Sequence, residues 1–137
     1  MFKKILIANR GEIAVRIIRA CKELGIKSVA IHSDVDNDAM HVKLADESIC
    51  VGGALPNNSY LNIPNIISTI NITGADAVHP GYGFLSENDK FADILSKHNV
   101  KFIGPSSKSI LELGNKSNAL KLANKHSLPI LGNENAK

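Results

Sequence analysis

The chain has 137 residues, of which 44% are hydrophobic and 21% are charged, so it can bury one core and is neither disordered nor collagen-like. Its net charge of +3 and aromatic content of 4% argue against nucleic-acid binding, which needs a basic patch with stacking aromatics. The sequence also lacks an apolar run of the roughly 18 residues that a membrane-spanning helix needs, so no membrane partner is expected.

Short β-branched segments alternate with amphipathic ones along the chain. In chain order, the predicted elements are strand 3–8, helix 12–24, strand 28–32, helix 39–45, strand 48–51, helix 59–72, strand 75–79, helix 87–98, strand 101–103, and helices 107–113 and 117–126. In the first helix, Ile13, Ile17, Cys21 and Leu24 form an apolar stripe. This alternation predicts an α/β fold with a Rossmann-like open parallel sheet and helices on both faces.

The loop after the first strand, residues 9–12, is the first candidate site, because ligands of such sheets bind beyond the carboxyl ends of the strands. It contains Gly11 but not the G-x-G-x-x-G pattern, which disfavours a nicotinamide or flavin cofactor. Two interpretations stay open. Asn9 caps the next helix in a tight turn, or Arg10 contacts an anion or a carboxylate.

The loop after the fourth strand, residues 79–88, is the second candidate site. Two glycines flank an aromatic residue, and Ser86 is predicted to cap the following helix. Exposed backbone N–H groups beside a helix N-terminus suit a ligand-facing loop. The alternative is a glycine turn whose Phe84 and Leu85 fill the core, with His79 as a packed histidine.

The third candidate site is residues 114–117 at the start of the last helix. A lysine followed by serine at a helix N-terminus suits a phosphate group, but the glycines of a Walker A loop are absent. On the pattern alone, Lys116 is a solvated lysine beside a serine cap.

Several exact stretches, taken together, resemble the biotin carboxylase family. They are residues 7–16, 20–26, 44–47, 59–64, 79–88 and 102–105. The resemblance implies a ligase that uses ATP, Mg²⁺ and bicarbonate to carboxylate biotin on the biotin carboxyl carrier protein, with a carboxyltransferase completing the reaction. This is the first half-reaction of acetyl-CoA carboxylase in fatty acid biosynthesis, and of the related propionyl-CoA and pyruvate carboxylases.

The resemblance also implies roles for individual residues. ATP binding is implied for Lys116. An active-site loop near biotin is implied for His79, Tyr82, Gly83 and Glu87. A homodimer interface is implied for Arg16, Arg19 and Glu23, which their spacing places on one stripe of a helix that otherwise would be a solvated face. No catalytic residue and no metal ligand is implied within this chain.

Residues 1–113 are expected to form the N-terminal domain of such an enzyme, and residues 114–137 to begin the connection to an ATP-grasp domain. The chain alone is then expected to be inactive. Two positions depart from the family: Asn115 replaces an aspartate beside the ATP lysine, and Gly132 stands where a proline is common. The alternatives are a non-catalytic nucleotide-binding or dimerisation module of the same fold, and a receiver-like domain. The latter is disfavoured because the first strand ends in Asn9 and Arg10 rather than in acidic residues.

The two cysteines, Cys21 and Cys50, form neither a disulfide framework nor a zinc motif, and both are predicted to be buried thiols. Buried free thiols are typical of a reducing compartment. A cytoplasmic location is therefore expected, with an organelle stroma or matrix as the alternative.

Overall fold

Five parallel strands form a single sheet in the computed structural model, which describes residues 1–131. The strands are β1 (Lys4–Ile7), β2 (Lys27–Ser33), β3 (Glu47–Gly52), β4 (Ala77–His79) and β5 (Lys101–Phe102). Their order across the sheet is β3-β2-β1-β4-β5, and every neighbouring pair is parallel. Strand β1 therefore lies at the centre of the sheet, with β2 and β3 on one side and β4 and β5 on the other. The loops after β1 and β4 flank the point where the strand order reverses, which is where open α/β sheets bind ligands.

The helices lie on both faces of this sheet, so the predicted fold class is confirmed. They are α1 (Gly11–Glu23), α2 (Met40–Leu44), α3 (Ile63–Thr73), α4 (Asp89–Lys97), α5 (Ser107–Gly114) and α6 (Lys116–Lys125). Two short 3-10 turns, Asp34–Asp36 and Pro56–Asn58, follow β2 and β3.

Strand β1 shows how the two core layers arise from the alternation of side chains along a strand. Ile5 and Ile7 pack on one face against a cluster that includes Ile17 and Ile18 of α1. Leu6 points to the other face, into a cluster with residues of α3 and α4. Since both faces are buried, β1 is apolar from Ile5 to Ile7, as expected for a central strand of a parallel sheet, whereas β2 also buries the polar Ser28, His32 and Ser33.

Two predicted helix starts are too early. Helix α3 begins at Ile63 rather than at residue 59, because a 3-10 turn comes first and the Asn62 side chain accepts a hydrogen bond from the Asn65 backbone. Helix α4 begins at Asp89, and Asn88, not the predicted Ser86, caps it by accepting from the Phe91 N–H at 2.9 Å.

Two further predictions about burial are wrong in part. Leu24 is not part of the apolar stripe of α1, because it is the C-cap residue and 64% exposed. Cys21 is buried, and burial raises the pKa of its thiol, but Cys50 is exposed. Cys50 lies on the edge strand β3, where its side chain points outward in the alternation.

The last described segment packs loosely on the rest of the domain. Helix α6 buries none of its side chains, and Leu128 and Leu131 beyond it are 59% and 95% exposed. The predicted departure at Gly132 lies outside the described residues. Within residues 1–131, no helix has both the length and the apolar character to cross a bilayer.

Candidate functional site

Three loops meet at the carboxyl edge of the sheet. Asn9 and Arg10 follow β1, the turn containing Asp36 follows β2, and residues 80–88, here called the glycine loop, connect β4 to α4. Because β2, β1 and β4 are neighbours, these loops are neighbours too. Side chains far apart in the sequence are brought together here.

Asn9 joins the first loop to the glycine loop. Its Nδ2 donates to the backbone oxygens of Pro80 and Tyr82 at 2.8 and 2.7 Å, and its Oδ1 accepts from the Arg10 N–H at 2.8 Å. The side chain is only 3% exposed. The expected cap on α1 is therefore wrong: Arg10 is the N-cap residue and makes no side-chain cap bond, whereas Asn9 holds a loop about 70 residues away.

The backbone of the glycine loop is left-handed at three positions. Gly81, Gly83 and Phe84 have φ angles of +63°, +66° and +41°. At Gly81 the close approach of Asn9 also requires glycine, since a Cβ would lie 2.7 Å from Asn9 Nδ2. The two glycines therefore allow a tight turn around the Asn9 amide, and this turn leaves the Tyr82 side chain 68% exposed.

A second group of side chains holds the far end of the glycine loop. Arg10 Nη2 donates to Asp36 Oδ1 at 2.7 Å. The sequence left open whether Arg10 contacts an anion or a carboxylate, and in the structure its partner is a carboxylate. The Tyr60 hydroxyl donates to Asp36 Oδ2 at 2.5 Å and accepts from the Ser33 N–H at 3.1 Å. The Tyr60 ring stacks on Phe84 with centroids 5.4 Å apart, and the Arg10 guanidinium carbon lies 5.5 Å from the Tyr60 centroid.

The ionisation states of these groups agree with their hydrogen bonds. Partial burial opposes ionisation of Asp36, but the Tyr60 hydroxyl and the Arg10 charge outweigh it and hold the pKa of Asp36 below its ordinary value. Burial, together with the bond to Asp36, raises the pKa of Tyr60 to about 12. At neutral pH a charged carboxylate thus accepts from a protonated phenol and from Arg10.

His79 is half-buried at the end of β4, and burial lowers its pKa. Its Nδ1 accepts a hydrogen bond from the Gly81 N–H at 3.0 Å. The ring is therefore neutral at physiological pH and supports the start of the glycine loop from within, which fits the packed histidine left open by the sequence.

Two other implied site residues lie on the surface. Glu87 is exposed just before α4, and Lys116 is exposed as the first residue of α6. Asn115 caps α6 by accepting from the N–H groups of Ser117 and Asn118, as an aspartate at this position also could. A cavity of about 170 Å³, lined by Ser86, Glu87, Leu113 and Gly114 among others, lies between the glycine loop and α5.

The implied dimer residues form a separate surface. Arg16, Arg19 and Glu23 are all exposed on α1. Arg16 also borders an apolar groove of about 460 Å³ between α1 and the β5 side of the sheet.

Sequence reasoning missed Asp36 and Tyr60. The signal for Asp36 was the acidic turn after the second strand, which becomes meaningful only once β2 is known to lie beside β1. Tyr60 carried no signal of its own. Within the described residues, no group of three or more His, Cys, Asp or Glu side chains is arranged to hold a metal ion.

Comparisons with known proteins show which family the chain belongs to. The family model for the biotin carboxylase N-terminal domain matches residues 1–110. The biotin carboxylase of Haemophilus influenzae is 57% identical over 94% of this chain and 29% of its own length. The mitochondrial propionyl-CoA carboxylase alpha chain of Caenorhabditis briggsae is 60% identical over 89% of this chain and 16% of its own length.

A solved structure shows the same relation. The biotin carboxylase domain dimer of the 2-oxoglutarate carboxylase of Hydrogenobacter thermophilus, in complex with MgADP, ADP and bicarbonate, has a TM-score of 0.90 and 46% identity over 96% of this chain and 29% of that chain. The chain thus spans less than a third of the length of each of these relatives. The chain belongs to the biotin carboxylase family, and residues 1–110 correspond to its N-terminal domain.

Proposed function

We propose that this chain supplies the N-terminal part of the active site of an ATP-dependent ligase that carboxylates biotin on a carrier protein. The observation that supports this most is the glycine loop, which is pinned by Asn9 and leaves the Tyr82 side chain exposed, while Ser86 and Glu87 of the same loop line a cavity with residues of α5. Such a loop can face a bound ligand without rearranging, which lowers the entropic cost of binding.

In this proposal the chain contributes two contacts to the reaction. Lys116, at the N-terminus of α6, binds a phosphate of ATP, and the Tyr82–Gly83 peptide borders the biotin subsite. ATP and bicarbonate form carboxyphosphate and ADP. Carboxyphosphate then breaks into phosphate and carbon dioxide, and biotin takes up the carbon dioxide in exchange for a proton. The groups that hold Mg²⁺ and bicarbonate are assigned to the segment that the longer relatives have beyond this match.

The proposed partners follow from the same reaction. A biotin carboxyl carrier protein presents the biotin, and a carboxyltransferase passes the carboxyl group to acetyl-CoA or a related acceptor. We place the boundary of the domain between residues 113 and 114, because α6 beyond it buries none of its side chains. We propose a cytoplasmic location, with an organelle stroma or matrix as the alternative; the C. briggsae relative is named as mitochondrial.

The proposed ATP contact can be tested in a chimera in which this chain replaces the matching segment of the H. influenzae biotin carboxylase. Lys116→Ala is expected to raise the KM for ATP roughly 10- to 150-fold, because one charged contact to phosphate contributes about 1.5–3 kcal/mol. The measurement is ATP-dependent carboxylation of free biotin over a range of ATP concentrations.

Lys121→Ala is the matched control, since Lys121 is also an exposed lysine of α6. It is expected to leave the KM for ATP within about twofold, as surface substitutions usually have small effects. Equal changes in the two variants would show that α6 does not contact ATP through Lys116.

The proposed homodimer forms through α1. The exposed Arg16, Arg19 and Glu23 support this, and so does the dimer formed by the H. thermophilus domain. Arg19→Glu is expected to reduce the dimer fraction of the chain in sedimentation, whereas Lys90→Glu, an exposed charge reversal on α4, is expected to leave it unchanged. A dimer fraction that Arg19→Glu does not change would assign self-association to another surface.

A further inference from the structure

We propose that two consecutive residues, Asn9 and Arg10, are positioning residues that hold the two ends of the glycine loop and so keep the Tyr82–Gly83 peptide directed at the ligand. This inference rests on the proposed function for its catalytic consequence, but not for its structural content. Neither residue needs to touch the ligand.

The first end of the loop is held by Asn9 through its backbone. One amide nitrogen donates to the carbonyl oxygens of Pro80 and Tyr82, on either side of Gly81. The same side chain is oriented by the Arg10 N–H, which donates to its Oδ1. Because the amide is buried and all its bonds are short, rotation of the Tyr82 carbonyl would leave a donor unpaired.

The second end is held by Arg10 through a relay of side chains. Arg10 pairs with Asp36, Asp36 fixes the Tyr60 hydroxyl, and the Tyr60 ring stacks on Phe84. Phe84 has a left-handed backbone, which is unfavourable for a bulky residue and persists only where its surroundings hold it. Tyr60 is 1% exposed, so Phe84 stacks on a ring that is itself held within the core.

The Asn9 hydrogen bonds and the relay from Arg10 differ from ordinary core packing because both act on one short segment of the loop. Asn9 fixes residues 80–82 and the relay fixes Phe84, with Gly83 between them. Gly83 has open space where a Cβ would be, and Tyr82 is mostly exposed. The segment that faces outward is therefore anchored on both sides by residues adjacent in the sequence.

Loop opening can be measured on the 137-residue chain as the rate of chymotrypsin cleavage after Tyr82. Asn9→Asp keeps the shape of the side chain but directs a carboxylate oxygen at two carbonyl oxygens. It is expected to accelerate cleavage at this bond by at least about tenfold, because local opening limits the rate. Asn65→Asp is the matched control, since Asn65 Nδ2 donates to the Val51 carbonyl at 2.8 Å, away from the loop. Its rate is expected to stay within about twofold of the unsubstituted chain.

Arg10→Ala tests the contacts at the Phe84 end of the glycine loop. It also provides a test of the proposal if Asn9→Asp does not fold. Its side chain is 46% exposed, so truncation leaves the core intact. It is expected to accelerate cleavage after Tyr82 by about threefold or more, whereas Lys27→Ala, which removes the exposed pair with Asp46, is expected to have no effect. Cleavage of Asn9→Asp and Arg10→Ala at the rates of their controls would overturn the proposal.

A kinetic arm separates positioning from general destabilisation. In the H. influenzae chimera, Asn9→Asp is expected to raise the KM for biotin at least about tenfold and to leave the KM for ATP within about twofold. Equal changes in both KM values, or a change in kcat alone, would contradict a positioning role. An inactive chimera without substitutions would instead contradict the proposed function, while the cleavage rates would still decide whether Asn9 and Arg10 hold the loop.

Discussion

Replacing Gly52 with alanine is expected to lower the free energy of unfolding by about 3–5 kcal/mol, a large part of the stability of a domain of this size. Gly52 ends β3 with a φ of +149°, and a Cβ there would lie 1.7 Å from the backbone oxygen of Asn58. A backbone atom cannot swing aside as a flexible side chain can. The chain at Asn58 must move, and with it the buried Ser59 and Tyr60.

Gly114→Ala is the control for this substitution. Gly114 ends α5, and a Cβ there meets no atom within 4 Å. Its alanine variant is expected to be within about 0.5 kcal/mol of the unsubstituted chain, or slightly more stable because alanine restricts the unfolded chain. Urea denaturation, monitored by circular dichroism, measures the free energy of unfolding of both variants. Equal unfolding midpoints for the two variants would contradict the close contact between Gly52 and Asn58.

The 137-residue chain alone is expected to carboxylate no biotin and to bind Mg-ATP more weakly than about 1 mM. A dissociation constant of 1 mM corresponds to about 4.1 kcal/mol of binding free energy, and one lysine–phosphate contact contributes about 1.5–3 kcal/mol. Lys116 by itself therefore falls short. Phosphoryl transfer also needs cations around the transferred group, and Lys116 is the one cation that we assign to it in this chain.

Calorimetric titration of the chain with Mg-ATP measures this affinity. Its control is the chimera with the H. influenzae biotin carboxylase, which is expected to bind at least about tenfold more tightly because further contacts are present. Binding to the chain alone below about 0.1 mM would mean that this domain holds more of the nucleotide site than Lys116.

The layers of the fold were predictable because apolar periodicity reports burial. The run from Ile5 to Ala8 is buried on both faces, and Ile17 and Cys21 face the sheet from α1 as their spacing predicts. Apart from the predicted burial of Cys50 on the edge strand β3, the errors fell at helix ends. Leu24 and Ser86 lie at positions where capping bonds rather than periodicity decide the structure, and Asn88 proved a better acceptor for the start of α4 than Ser86.

The contacts that hold the candidate site were less predictable, because they join residues distant in the sequence. Asn9 and Pro80 meet only because β1 pairs with β4, and Arg10 and Asp36 meet only because β1 also pairs with β2. Strand order cannot be deduced from periodicity. The glycine loop itself stood out by its spacing, but the partners that hold it did not.

Tyr60 is the clearest case of a residue without a sequence signal. It lies between a 3-10 turn and α3, where the local pattern predicts only the first turn of a helix over residues 59–72. Its importance comes from three contacts, to Ser33 at the end of β2, to Asp36 in the turn that follows, and to Phe84 in the glycine loop. Such a role follows from the assembled fold alone.

Transfer of radiolabelled bicarbonate to free biotin by the chimera with the H. influenzae enzyme measures whether this chain can supply the N-terminal part of a biotin carboxylase active site. We expect ATP-dependent label transfer at a rate within about tenfold of the H. influenzae enzyme, since 57% identity and a shared fold preserve the loop geometry. A chimera that folds and binds ATP but transfers no label to biotin would contradict this expectation.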